Sequence, residues 1–448
     1  MTTRKIAFIA RIALAAIVLL LAAHPSPAQQ PAAARLDLAP VKPESVGFSS
    51  ERLERLHALM QKEVDQKQYS GIVTLLARHG KIVDFKTYGV RDMVSGAPMT
   101  KDTIFRDFSM TKPVTGVAMM ILYEQGKWLP SDPISKFIPE FANLKVLKGV
   151  DNTNGKMILV DPDHAPTMGE LMTHTAGFSY GNSGTAADAM YKEQHVLGSK
   201  NLQEMIDKLS KIPLLYQPGT KWIYSMSMDI EGYIIEKLSG QSLPDFMRDR
   251  IFSPLGMRDA AFYVPDEKRD RLATLYKADD AGNLIVDPAA CCGLHAGFKA
   301  QPDMPSGGGG LVSTAGDYHR FLQMLLDHPG SPAGELDGVR LLSPRTVRYM
   351  GRNHLPGGLD IGTFGRPLYA ESPMYGSGFG LGFAVVTDPA ALKVDCSAGE
   401  LSWGGAASTA FWIDQAEGIT VSFFTQLMPS NAYPLRPQLR QLVYQAVL

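Results

Sequence analysis

The sequence predicts an α/β chain of the α+β kind: an antiparallel sheet built from both chain ends and flanked by helices, plus a mostly helical subdomain. Short apolar runs of strand character stand near the start and again near the end. Helical-period segments open and close this arrangement, and the long middle is helical patterns separated by Gly/Pro-rich loops. Strands at both ends with helices between them are most simply built as one sheet fed from both termini.

The elements follow in order. Residues 50–66 carry Leu53, Leu56, Leu59, Met60 and Val64 at helical spacing, with Ser50 as the predicted cap. Residues 72–77 and 82–88 read as a hairpin turning at Arg78-His79-Gly80-Lys81. Residues 115–125 and 229–239 are the clearest central helices, and 382–387, 401–403, 409–413 and 420–425 read as closing strands. A last helix is predicted over 435–447. The predicted organisation is a signal peptide at 1–28, a linker at 29–43 and one domain at 44–448. Its sheet subdomain comprises about 44–107 and 327–448, and its helical subdomain about 108–326.

The leader rests on Arg4, Lys5 and Arg11, the apolar run 12–23, and the small residues Ser26 and Ala28 flanking Pro27. That run is shorter than the roughly 20 residues a membrane-spanning helix needs, so cleavage near Ala28, export to the periplasm or medium, and no stable membrane insertion are expected, with an uncleaved anchor as the rival. The chain has 448 residues, a formal net charge of −1, 45% apolar and 20% charged residues. With no long run of Lys or Arg it lacks the electrostatic footprint of a nucleic-acid binder. Cys291, Cys292 and Cys396 leave a bridge from Cys396 to either neighbour open. Cysteine and histidine spacings offer no metal site, and no cofactor is implied.

The sharpest chemical signal is Ser109-Met110-Thr111-Lys112, the only Ser-x-x-Lys in the chain. Residues three apart on a helix are neighbours, roughly 5–6 Å between Cβ atoms, so the amine can reach the hydroxyl. A serine needs such a base to become a nucleophile, and a lysine serves as one when burial or a nearby cation favours its neutral form. Taken alone, the same four residues read equally well as a helix cap and a solvated lysine. Downstream, Tyr224-Ser225-Met226 follows the turn Gln217-Pro218-Gly219, and Tyr224 on that loop can share a proton with a lysine. An isolated Tyr there would more often be a packed ring. Ser402-Trp403-Gly404-Gly405-Ala406 then ends a strand, where paired glycines let a substrate approach the backbone.

With these elements in this order, the chain resembles the serine β-lactamases of the class C type and the penicillin-binding proteins, and is closest to the family VIII carboxylesterases. Thr173-His174-Thr175-Ala176-Gly177, Pro254-Leu255-Gly256-Met257, Gly308-Gly309-Gly310-Leu311 and Gly378-Phe379-Gly380-Leu381-Gly382 also look like the family. The resemblance covers about 46–448 and implies a β-lactamase/transpeptidase-like fold. It implies Ser109 as nucleophile, Lys112 and Tyr224 as general base and acid, and the Ser109 and Ala406 N–H groups as oxyanion hole. Trp403, Gly404, Gly405 and Met226 would face the substrate. Met226 stands where β-lactamases carry Asn, and Trp403 where they carry Lys; neither can serve a β-lactam's amide or carboxylate as those residues do.

The expectation is therefore an exported serine hydrolase acting on a small-molecule carboxylic ester. The rivals are a β-lactamase, D-amino-acid peptidase or short amide hydrolase on the same residues, and a non-catalytic penicillin-binding sensor. The acyl and alcohol groups, hydrolysis against acyl transfer, and the oligomeric state stay open. Gly177-Phe178-Ser179-Tyr180-Gly181 fits the Gly-x-Ser-x-Gly pattern, but no strand-to-helix turn is predicted around it, so Ser179 and the neighbouring His174 are expected to be structural.

Overall fold

The structure, a computed structural model, describes residues 38–287, 298–366 and 374–448. The predicted leader, the first part of the linker, Cys291 and Cys292 lie outside them. Among the described residues the chain forms a mixed α/β fold around an eight-stranded antiparallel sheet. Its strands are β1 (Gly71–Arg78), β2 (Lys81–Asp92), β3 (Ala97–Pro98), β4 (Ser377–Phe379), β5 (Ala384–Val386), β6 (Leu401–Gly404), β7 (Ala410–Asp414) and β8 (Ile419–Phe424). The order across the sheet is β4-β5-β6-β7-β8-β1-β2-β3, so β1 pairs with β8 and the two chain ends are stitched at the centre.

Alternation along the strands divides the layers. Val73, Leu75 and Ala77 of β1 and Phe411 and Ile413 of β7 point into the larger core, beneath α2 (Thr111–Glu124) and α4 (Ala315–Leu325). Ile72, Leu76 and Trp412 point the other way, against α1 (Ser50–Asp65) and α5 (Arg436–Tyr444). The β1–β2 hairpin turns through His79 and Gly80, both left-handed at φ 50° and 79°, the geometry that matches the twist of a two-residue hairpin. The predicted cap of α1 is corrected by one residue. Ser49 is extended and its Oγ accepts from Arg52 N at 3.2 Å, while Ser50 is already helical.

α2 is not amphipathic. Between Thr103 and Leu122 every residue is buried except Ser109. A helix apolar on all sides belongs in the interior, and α2 packs there against α3 (Ser227–Ser239) and the sheet-side core. One short strand pairing and a backbone hydrogen bond that the sequence did not reveal fix its start. Phe105–Arg106 pairs with Val312–Ser313, and Asp107 N donates to Leu311 O at 2.9 Å. They bring the glycine loop 307–310 alongside the first turn of α2.

A candidate serine-lysine active site

Ser109 lies in a single 3-10 turn, Phe108–Met110, that runs directly into α2. Phe108 before it is left-handed at φ 47°, a conformation unfavourable for a bulky residue, and is held by burial and an edge-to-face contact with Phe298. Ser109 opens on a cavity of about 210 Å³ whose wall includes Trp222, Tyr224, Trp403, Gly404, Gly405 and Ala406. One turn on, Lys112 is 1% exposed. Its Nζ donates to Ser109 Oγ at 3.1 Å and to Gly308 O at 2.6 Å. The solvated-lysine alternative is thereby removed.

A buried amine needs compensation. Besides the Gly308 carbonyl, the Lys112 Nζ lies 4.6 Å from the centroid of the Tyr224 ring and 5.4 Å from that of Tyr180. Asp229, on the first turn of α3, accepts from Ser306 Oγ and, at 3.1 Å, from Gly308 N, so it holds the very peptide segment that receives the lysine. Burial raises the Asp229 carboxyl above the usual range, against the opposing pull of Ser306 and Lys112. Sequence reading missed Asp229 and Gly308 because neither touches Ser109; the glycine run was noted only as a family likeness.

Tyr224 is 8% exposed and its hydroxyl accepts from Trp403 Nε1 at 3.3 Å. This corrects the expected relation of Tyr224 to Lys112: the amine meets the face of the ring, and the hydroxyl's partner is the indole. Behind Tyr224 stands His174, 1% exposed, its Nδ1 within 3.0 Å of Ser225 Oγ and its ring edge-on to Tyr224 at 5.1 Å between centroids. Burial, with Lys112 adding to it, holds this imidazole well below its usual pKa, and it packs as a neutral ring.

Met226 is a second correction. It is 1% exposed and belongs to the larger core rather than the cavity wall, because it caps α3 and turns its side chain inward. The paired glycines line the cavity wall, and close packing behind them also requires them. A Cβ on Gly404 would fall 2.7 Å from the Arg436 guanidinium, and one on Gly405 2.2 Å from Thr409 Oγ1 and 2.3 Å from Asp107 O. Gly405 N donates to Thr409 O at 2.9 Å, leaving Ala406 as the next amide along the wall. Ser179 lies elsewhere, wholly buried, with Oγ bonded to Asp188 and Ser183 at 2.9 Å each.

The chain is similar to known proteins. The chain is 34% identical over 382 residues to an uncharacterized protein of Mycobacterium tuberculosis, covering 84% of this chain and 90% of that one. It is 29% identical over 410 residues to esterase EstB of Burkholderia gladioli, covering 87% and 94%. Among solved structures it is similar to EstCE1, a hydrolase with promiscuous acyltransferase activity, at a TM-score of 0.72 and 28% identity, covering 88% of this chain and 98% of that chain. The Beta-lactamase family matches residues 56–445. With that match spanning most of its length, the chain belongs to the beta-lactamase family.

Proposed function

We propose that this protein is an exported serine hydrolase that cleaves small-molecule carboxylic esters through an acyl-enzyme on Ser109. The observation that carries the reading is the buried Lys112 amine 3.1 Å from a serine hydroxyl that alone in its segment reaches a cavity. Lys112 keeps Gly308 O as its acceptor and takes the Ser109 proton as Oγ attacks the ester carbonyl. The Ser109 and Ala406 N–H groups receive the oxyanion. The tetrahedral adduct collapses with loss of the alcohol, which leaves carrying the proton that Lys112 took from Ser109. Water then adds to the Ser109 ester by the reverse path, releasing the acid and restoring the serine.

The aromatic wall of Trp222, Tyr224 and Trp403 favours an uncharged acyl or alcohol group over the carboxylate-bearing ring of a β-lactam. Likeness to EstB and EstCE1, an esterase and a hydrolase with acyltransferase activity, supports the same substrate class. A second alcohol in place of water would turn the reaction into acyl transfer. The test is a comparison of p-nitrophenyl acetate, p-nitrophenyl butyrate and nitrocefin, with Ser109→Ala as the blank. Ester cleavage lost in Ser109→Ala, with slow nitrocefin turnover, is the expected outcome. Nitrocefin turnover as fast as ester cleavage would move the assignment to a β-lactamase, and an undiminished Ser109→Ala would end the acyl-enzyme reading.

A further inference from the structure

Arg436, in the first turn of α5, is tied to the loop between β6 and β7. Its Nη2 donates to Gly405 O at 3.2 Å and to Thr409 O at 2.9 Å. The Gly405 carbonyl and the Ala406 N–H are the two ends of one peptide group. A cationic donor on that oxygen draws electron density through the amide and leaves the nitrogen end a stronger donor. It also holds the peptide plane, because Gly405 O additionally accepts from Ser408 N at 3.1 Å and Thr409 O from Gly405 N at 2.9 Å. The same guanidinium and the Thr409 carbonyl crowd the place a side chain would take at Gly404, 2.7 Å and 2.8 Å from an ideal Cβ. A side chain at the first glycine of Trp403-Gly404-Gly405 would therefore collide with Arg436 and with one of the carbonyls it binds.

We infer that Arg436 is a positioning residue for the oxyanion site: it fixes and polarises the Gly405–Ala406 peptide so that the Ala406 N–H meets the developing charge. This rests on the acyl-enzyme reading above. The sequence alone hides it, since Arg436 follows a glycine pair it serves by some thirty residues and reads there as a solvated helix residue.

The test uses the full mature chain and p-nitrophenyl trimethylacetate, whose hindered carbonyl is expected to slow attack by water on the acyl-enzyme. The Ser109 Oγ–carbonyl bond forms, the ester C–O bond breaks, p-nitrophenolate departs, and the serine proton passes to Lys112. The infrared carbonyl stretch of this acyl-enzyme reports how strongly the oxygen is held. Arg436→Met should raise that frequency and lower kcat on p-nitrophenyl butyrate about threefold to tenfold, with KM little changed. Arg436→Lys should recover part of both. Should Arg436→Met fail to fold, Arg436→Gln, which replaces the cation by a neutral amide, should show the same frequency rise and loss of kcat. A folded Arg436→Met with both quantities unmoved, on a chain that mass spectrometry shows acylated at Ser109, overturns this inference alone. A chain never acylated at Ser109 overturns the acyl-enzyme reading and this inference with it.

Discussion

The indole N–H of Trp403 donates to the Tyr224 hydroxyl across 3.3 Å, joining a strand end to a loop 179 residues earlier. Trp403 therefore orients the phenol as well as walling the cavity. Trp403→Phe keeps most of the wall and removes the donor. It should lower kcat for p-nitrophenyl butyrate about threefold to tenfold, the worth of one hydrogen bond, with a smaller change in KM. Equal losses in Trp403→Phe and Trp403→Ala would show that ring area alone matters.

Asp229 holds Gly308, and Gly308 holds Lys112. Asp229→Ala strands the Gly308 N–H and the Ser306 hydroxyl without their acceptor in the interior, at a cost of about 1–3 kcal/mol each at most. Acylation should slow by at least about tenfold as the lysine loses its register. Asp229→Asn keeps an acceptor oxygen and should fall between. Burst kinetics with p-nitrophenyl acetate separate acylation from later steps, and a burst rate unchanged in Asp229→Ala would refute the linkage.

Ser179 offers the opposite pattern. Its hydroxyl bonds Asp188, Ser183 and the Gly181 N–H in a wholly buried loop. Ser179→Ala should lose about 1–3 kcal/mol of stability in denaturant unfolding and keep ester turnover within about twofold. Loss of turnover at full stability would instead place the chemistry at Ser179.

Met226→Asn installs the β-lactamase residue at a position that is core here. The amide would be buried without a designed partner, costing about 1–3 kcal/mol, and thermal denaturation should show it. Nitrocefin turnover should not rise. A rise without destabilisation would put Met226 back at the substrate.

Asp317, 9% exposed on α4, accepts from Asp259 N at 2.6 Å. Burial pushes its carboxyl up to about 6 from an ordinary 3.8, with the Asp259 carboxylate adding to the rise and backbone N–H groups opposing it. The folded state thus binds this proton more tightly than the unfolded chain. Its contribution to stability is complete below about 3.8 and is lost as pH rises through about 6. Asp317→Asn should flatten that part of the stability profile, with the melting temperature of the variant gaining on the native protein between about pH 4.5 and 7.5. Parallel profiles for the two proteins would contradict this.

By itself the sequence determined what is local or periodic. The hairpin at His79-Gly80, the strands of β6 to β8 and the Ser109/Lys112 pair all follow from spacing within one element, where backbone geometry dictates which side chains meet. Two-residue strands such as Phe105–Arg106 carry no periodicity, and their existence depends on a partner two hundred residues away. The same holds at the cavity. That Lys112 meets the face of Tyr224 rather than its hydroxyl, that Trp403 holds that hydroxyl, that Met226 turns into the core, and that Gly404 makes room for Arg436 were decided only in the tertiary structure. Each is a contact between segments far apart in the chain, and a side chain's direction at such a contact is set by close packing around it, which no spacing in the sequence encodes.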